Sequence, residues 1–242
     1  MTNIAQPRPA LAWGDDGHKV VALIAQSFLQ ADVRKRVNAL LAADTDSLTA
    51  HDIASAAPIP SGTGASDGPA ADCVVDKIEE FAAELANSAT DSEEQVVALK
   101  FLLHFVGDIH QPLHSSDDND RGGNNKKVSA AGFRAGNLHH FWDTEFVDQL
   151  ETNPTNIASD LIGHISPAQA SERQAGSPTD WAKESFQVAK ADAYGLLPEP
   201  SSRGSYRLTD EYVTTATDDV AQQLSKAGVR LAFVLNKALG RQ

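Results

Sequence analysis

Apolar residues recur along most of the chain at the three- and four-residue spacing that lines one face of an α-helix. The first such segment places Val20, Ile24, Ala25 and Phe28 on one face, and the last covers residues 209–239. The same spacing predicts helices over residues 32–41, 49–57, 72–87, 138–150, 154–165 and 178–194. The alternating pattern typical of strands is nearly absent. We therefore predict an all-α protein built as one multi-helix domain.

A strongly apolar helix leads into the chemically most informative part of the chain. Asp91 followed by Glu94 is a capping-box pattern at its start. His104 and Asp108 lie four residues apart in the run VVALKFLLHFVGDIHQPLH, so both face the same side of the helix, one turn apart. Pro112 is expected to end the helix, because proline has no N–H to donate and clashes with the preceding turn.

A second pair of the same kind follows a polar, glycine-rich loop over residues 115–137. His139 and Asp143 repeat the four-residue spacing in NLHHFWD. A carboxylate buried without a partner costs free energy, which a bound cation offsets. Zinc in catalytic sites prefers histidine nitrogen and carboxylate oxygen. We therefore predict a zinc site whose candidate ligands are His18, His104, Asp108, His114, His139 and Asp143.

The remaining four histidines are interpreted as ordinary polar residues. A single histidine on a helix is usually satisfied by a hydrogen bond and has no functional role. We expect no acid at helical spacing from any of them: His51, His110, His140 and His164.

Composition excludes some classes of protein. The chain has 242 residues, 41% of them hydrophobic, which is enough for a sizeable core. The net charge of −13 argues against nucleic-acid binding through a general basic face, but not against a nucleic-acid enzyme whose positive charge comes from bound metal. Cys73 is the one cysteine, so an internal disulfide is excluded. No stretch approaches the length of a transmembrane helix.

Three stretches together resemble a known family. They are similar to sequences of the zinc-dependent single-strand-specific nucleases of fungi, plants and bacteria. The stretches are HFVGDIHQPLH followed by GGN, then NLHHFWDT, and WGDDGHKVVALIA from Trp13 onward. Bacterial zinc phospholipases C are their more distant relatives. The resemblance covers most of residues 13–57 and 72–150, and the C-terminal helices carry no motif. It implies a largely helical fold of the phospholipase C/nuclease type with three zinc ions in a cleft.

The resemblance also assigns roles to individual residues. Trp13 corresponds to the residue whose backbone amine and carbonyl chelate one zinc together with His18. Asp108 corresponds to the carboxylate that bridges this zinc to a second one, which His104 also binds. The third zinc takes the remaining ligands: His114, His139 and Asp143.

Two features depart from the family pattern. A Trp-Ala-Asp motif and a later His-aromatic motif are expected after LTAHDIASAA, but Ala57 is followed directly by Pro58. We carry the missing roles over neither to Asp52 nor to His51, and we predict an internal deletion near residues 57–72. Residues 1–12 are a polar lead ending in Ala-Leu-Ala, and Trp13 can chelate through its amine only if it is the first residue. We therefore expect one robust zinc, one conditional on processing and one weak.

Several functions remain open from the sequence. The leading hypothesis is a zinc-dependent endonuclease that cleaves single-stranded DNA or RNA to 5′-phosphate products and can remove 3′-phosphates. The alternatives are a catalytically impaired zinc-binding member of the family, a zinc-dependent phospholipase C and a purely structural helical protein. The resemblance implies a secreted or periplasmic location, although a complete signal peptide is missing. We expect a monomer with no membrane partner.

Overall fold

The computed structural model describes residues 13–44 and 73–240. Several predictions lie outside the described residues. They concern residues 1–12, the helix over 49–57, the linker over 58–72, His51 and Asp52, and the deletion. Within that part of the chain, nine α-helices are present: α1 Gly14–Phe28, α2 Ala31–Ala42, α3 Val74–Ala86, α4 Ser92–Asp108, α5 formed by Leu138–His140, Phe141–Glu145 and Phe146–Leu150, α6 Pro154–Gly163, α7 Pro167–Arg173, α8 Pro178–Val188 and α9 Asp210–Leu239.

The prediction of an all-α fold is confirmed, with two additions. Helix α7 was missed, although Ser166 and Gln169 form a capping box at its start. Three short strands were also missed: β1 Lys127–Ser129, β2 Gly136–Asn137 and β3 Ser205–Arg207. They form one small sheet in the order β2-β1-β3, with β1 antiparallel to β2 and parallel to β3. Strands of two or three residues are too short to show an alternating pattern.

Helix α9 is the element against which most other helices pack. It contacts α1 to α8, and its buried residues include Val220, Leu224, Leu235 and Leu239. A Cβ atom placed on Gly228 would overlap the Cβ of Ile24 in α1. Glycine at this position therefore allows α1 and α9 to approach closely. This packing fixes the direction of α1, which carries His18.

Two helical segments contain a π-helical turn. Residues Phe141–Glu145 form one inside α5, and Ala189–Ala193 form another directly after α8. Such turns are often found at functional sites. The turn in α5 contains Asp143. In the described ranges, no helix is long and apolar enough to span a membrane.

Asp219 gives the fold a dependence on pH. Burial, followed by the nearby Asp192 carboxylate, raises the pKa of Asp219 to about 7. Between pH 4 and 7 the folded protein therefore binds a proton that the unfolded chain does not, and the free energy of unfolding falls as pH rises through this window. We expect Asp219→Asn to unfold with a free energy about 1 kcal/mol higher than wild type at pH 8, after allowance for solvent at this half-buried side chain.

Urea unfolding of the two proteins at pH 5 and pH 8 measures this difference. The exposed Asp160→Asn variant is the control. A difference between Asp219→Asn and wild type that is equal at both pH values would contradict the assignment.

Candidate metal centre

The first candidate metal centre joins α1 to the C-terminal turn of α4. His18 comes from α1, and His104 and Asp108 come from α4 with side chains one turn apart. One Asp108 carboxylate oxygen lies 3.3 Å from Nε2 of His18, and the other lies 3.2 Å from Nε2 of His104. The two imidazole rings stack with centroids 4.7 Å apart. The carboxylate thus presents one oxygen to each ring.

Buried polar atoms in this cluster have no hydrogen-bond partner. Both ring nitrogens of His18 and the Asp108 oxygen facing it are buried and, although Nε2 and that oxygen are 3.3 Å apart, none of the three makes a hydrogen bond. Such atoms carry a desolvation cost unless a partner is supplied. Two imidazoles and a carboxylate are a donor set that zinc accepts. The residues of the first cluster therefore fit a metal ion.

Charge coupling in the cluster is strong. Burial acts to raise the pKa of the Asp108 carboxyl, but His104 and His18 outweigh burial and hold this pKa well below its usual range. Burial also acts to lower the pKa of His104, but the Asp108 carboxylate outweighs it and the pKa is raised. Asp108 is therefore a carboxylate at neutral pH. An anion at this depth is the electrostatic counterpart that a divalent cation requires.

Two residues outside the cluster fix its shape. A Cβ atom on Gly107 would lie 2.7 Å from Nδ1 of His18, so only glycine leaves room for that ring. The indole Nε1 of Trp13 donates a 2.8 Å hydrogen bond to the carbonyl oxygen of Gly107. Trp13 is fully buried with a left-handed backbone at φ 44°. Trp13 and Gly107 thereby hold the start of α1 against the end of α4.

The second candidate metal centre lies between the turn after α4 and α5. His114 ends the 3₁₀ turn Pro112–His114, and His139 and Asp143 come from α5. The Nε2 atoms of His114 and His139 are 3.1 Å apart, and Nε2 of His139 lies 3.3 Å from an Asp143 oxygen. Pro112 does end α4, as predicted, and the resulting turn brings His114 to this cluster.

Hydrogen bonding selects one tautomer of His139. Its Nδ1 donates a 2.7 Å hydrogen bond to the carbonyl oxygen of Gly122. In the neutral ring, Nε2 then carries a lone pair that faces both His114 and a carboxylate oxygen. The Nε2 atoms of His114 and His139 and the Asp143 oxygen are three acceptors that face one point, which suits a cation. Metal-binding histidines typically donate a hydrogen bond from their other ring nitrogen, as His139 does to Gly122. The second cluster therefore also fits a metal ion.

The pKa values around the second cluster favour neutral groups in the protein without metal. Burial raises the pKa of the Asp143 carboxyl well above its usual range. Burial, followed by the charge of His139, lowers the pKa of His114 to about 3. Burial also lowers the pKa of His139. Two neutral imidazoles are the state in which histidine binds a metal.

Sequence reasoning missed Gln111, which orients Asp143. Its side-chain Nε2 donates a 2.5 Å hydrogen bond to one Asp143 oxygen, while its Oε1 accepts one from the Leu113 backbone. This leaves the other Asp143 oxygen to face His139. The backbone amide of Trp13 also faces Asp143 and acts to lower the pKa of that carboxyl. The one sequence feature that could have pointed to Gln111 is its position just before Pro112, in the turn that follows the first His-Asp pair.

We expect Gln111→Leu to weaken zinc binding at the second cluster by about 10- to 100-fold, because the carboxylate loses its orienting donor. Competition against a fluorescent zinc chelator measures the affinity. Gln169→Leu in the exposed capping box of α7 is the control. An unchanged affinity in Gln111→Leu would show that Asp143 is oriented without it.

The histidines interpreted as ordinary polar residues lie outside both clusters wherever the structure describes them. His110 is buried, donates to the Val106 carbonyl and accepts from Arg230. The expectation that none of them has an acid at helical spacing was wrong for His164, and His140 has an acid partner at a spacing of five residues. Exposed His164 lies 3.7 Å from Asp160, four residues earlier, and exposed His140 lies 3.4 Å from Glu145, five residues on in the π-helical turn.

The fold and the two clusters define a mostly helical domain with two candidate metal centres. The sequence model of the family described as S1/P1 Nuclease matches residues 58–240, and the chain belongs to this family. Endonuclease 2 of Arabidopsis thaliana is 28% identical, over 94% of this chain and 91% of its own length. Nuclease P1 of Penicillium citrinum is 27% identical, over 95% and 99%. Nuclease S1 of Aspergillus oryzae is 33% identical, over 57% and 55%.

Proposed function

We propose that this chain is a zinc-dependent endonuclease that hydrolyses phosphodiester bonds in single-stranded DNA or RNA. It would leave 5′-phosphate products and would also remove 3′-phosphates. The observation that supports this proposal is the pair of buried His-His-Asp clusters in a chain of the S1/P1 nuclease family. Its relatives carry the names nuclease and endonuclease.

The residues that would hold zinc follow from the two clusters. His18, His104 and Asp108 would hold metal at the first, and His114, His139 and Asp143 at the second. When bound, zinc supplies a Lewis acid that activates water and offsets charge on phosphoryl oxygens. Asp108 would hold metal together with both histidines of the first cluster, because its two oxygens face different histidines. Trp13 would add its amine and carbonyl if the chain were cleaved before it.

A second candidate is a zinc-binding family member with impaired catalysis. The alignment with Endonuclease 2 spans 269 positions, more than the 242 residues of this chain, so that relative has residues without a counterpart here. These extra residues support a deletion somewhere in this chain. Its proposed place near residues 57–72, in a single domain over 13–242, rests on the missing motifs after Ala57. The ion held by His104 and Asp108 would then lack two of its family ligands.

An activity assay separates the two candidates. Zinc-loaded protein is incubated with a fluorescent single-stranded oligonucleotide, with and without chelator, and with phosphatidylcholine as the alternative substrate. Cleavage of the oligonucleotide that stops with chelator and returns with zinc is the expected result. Stable zinc binding without cleavage would favour the impaired member, and cleavage of phosphatidylcholine alone would overturn the nuclease proposal.

By family resemblance we also propose a secreted or periplasmic monomer.

A further inference from the structure

Positive charge is concentrated in two segments of this acidic chain. The protein carries 33 acidic and 20 basic residues, yet residues 121–142 and 200–209 contain no aspartate or glutamate. These segments contribute the basic residues Arg121, Lys126, Lys127, Arg134, Arg203 and Arg207. The net charge of the whole chain argued against a basic face, but these two segments have a local excess of positive charge.

The small sheet brings the two segments together. Strand β1 pairs in parallel with β3, and Lys127 is in register with Ser205 while Ser129 is in register with Arg207. Paired residues share a face of a sheet and alternate residues return to it. Lys127 and Arg207 therefore lie on one face and are both exposed, whereas Val128 on the other face is buried.

Five of these cations form what we call the basic rim: Arg121, Lys127, Arg134, Arg203 and Arg207. All five are exposed. Over the ranges 13–44 and 73–240, none of their side chains makes an ion pair. Lys126 differs, because it lies 3.0 Å from Asp118 and 3.5 Å from Asp120. Asp117, the third acid of this loop, accepts hydrogen bonds from the backbone amides of Asp120 and Gly122. In the described part of the chain, none of these three acids forms an ion pair with a side chain of the rim.

The basic rim is directly connected to the second cluster. Arg121 precedes Gly122, whose carbonyl accepts the hydrogen bond from His139. Lys127 pairs with Asn137 of β2, two residues before His139, and Asn137 caps the helix that carries it. A polyanion held along the rim would therefore be anchored within a few residues of a metal ligand.

We propose that the basic rim binds the phosphate backbone of the single-stranded nucleic acid that the site cleaves. This inference rests on the proposed function. Exposed lysine and arginine side chains contact phosphates without reading the bases, so they position a strand independently of its sequence. An acidic nuclease needs such a local surface, because its remaining charge repels the polyanionic substrate.

A binding experiment that does not depend on cleavage tests the proposal. Zinc-loaded wild type and Lys127→Gln/Arg207→Gln are titrated against a fluorescein-labelled thymidine 12-mer with phosphorothioate linkages, and anisotropy is followed from 25 to 200 mM KCl. We expect the double variant to bind about tenfold more weakly at low salt. The slope of log affinity against log salt should become shallower by about 1.4, since each lost contact to a single strand removes about 0.7.

The control is Arg34→Gln/Lys35→Gln, which removes two exposed cations from α2. Equal loss of affinity in both double variants, an unchanged slope in the rim variant, or no binding by wild type would overturn the proposal. Rim-dependent binding to phosphatidylserine vesicles in place of the oligonucleotide would overturn it as well. Failure of the proposed function is distinct, since it appears as no cleavage of an unmodified oligonucleotide while rim-dependent binding persists.

Discussion

Asp108→Asn is expected to reduce hydrolysis of single-stranded DNA by about 10³-fold or more. The substitution removes a proposed zinc ligand, and bound zinc contributes several kcal/mol of charge stabilisation in the transition state. Each loss of about 1.36 kcal/mol slows the reaction tenfold. The carboxylate touches both histidines of the first cluster, at 3.3 and 3.2 Å. An amide keeps the shape of the side chain but presents one neutral oxygen. The rate constant for cleavage of a fluorescent oligonucleotide under saturating zinc measures the loss.

The matched control for this substitution is Asp160→Asn. Asp160 also lies four residues from a histidine on a helix, but this pair is exposed on α6. We expect its activity to equal wild type. Activity of Asp108→Asn within threefold of wild type would show that the first cluster does not contribute to the reaction.

Gly107→Ala is expected to reduce activity by about 100-fold, in the range found when the support of a metal ligand is lost, while leaving the fold intact. The added methyl group would lie 2.7 Å from Nδ1 and 2.8 Å from Cε1 of His18. The imidazole ring is the end of a side chain and can turn away, so the clash displaces the ring of His18, a proposed zinc ligand, and leaves the helix in place. Activity at saturating zinc and the melting temperature are measured together.

Gly163→Ala is the control for an alanine at a helical glycine. Nothing lies within 4 Å of the position its Cβ would occupy. We expect full activity and a small gain in stability, of about 0.4–1 kcal/mol, because alanine restricts the unfolded chain. If Gly107→Ala instead keeps full activity, His18 does not act from the position described.

Local spacing made part of the site predictable. His104 with Asp108, and His139 with Asp143, are each four residues apart, and four-residue spacing on a helix fixes which side chains are neighbours. The break at Pro112 was predictable because proline ends helices for a steric reason. Most helix positions and the two His-Asp pairs therefore followed from the order of residues, whereas helix α7 was missed.

Contacts made across the fold were not predictable in this way. His18 reaches Asp108 only because Gly228 lets α1 approach α9 and Gly107 leaves space for the imidazole ring. Gln111 orients Asp143 across 32 positions of sequence. The basic rim depends on the pairing of β1 with β3, and strands of three residues leave no periodic signal. Each of these features is set by tertiary packing.

The two His-His-Asp clusters are proposed to be separate zinc sites of unequal strength. Elemental analysis of protein beginning at Met1 tests it, before and after dialysis against a weak chelator, alongside Asp108→Asn and Asp143→Asn. We predict that one zinc per chain survives dialysis, that Asp143→Asn loses it, and that Asp108→Asn keeps it. Three zinc ions retained per chain, or a retained zinc unaffected by Asp143→Asn, would show that the clusters do not differ in this way.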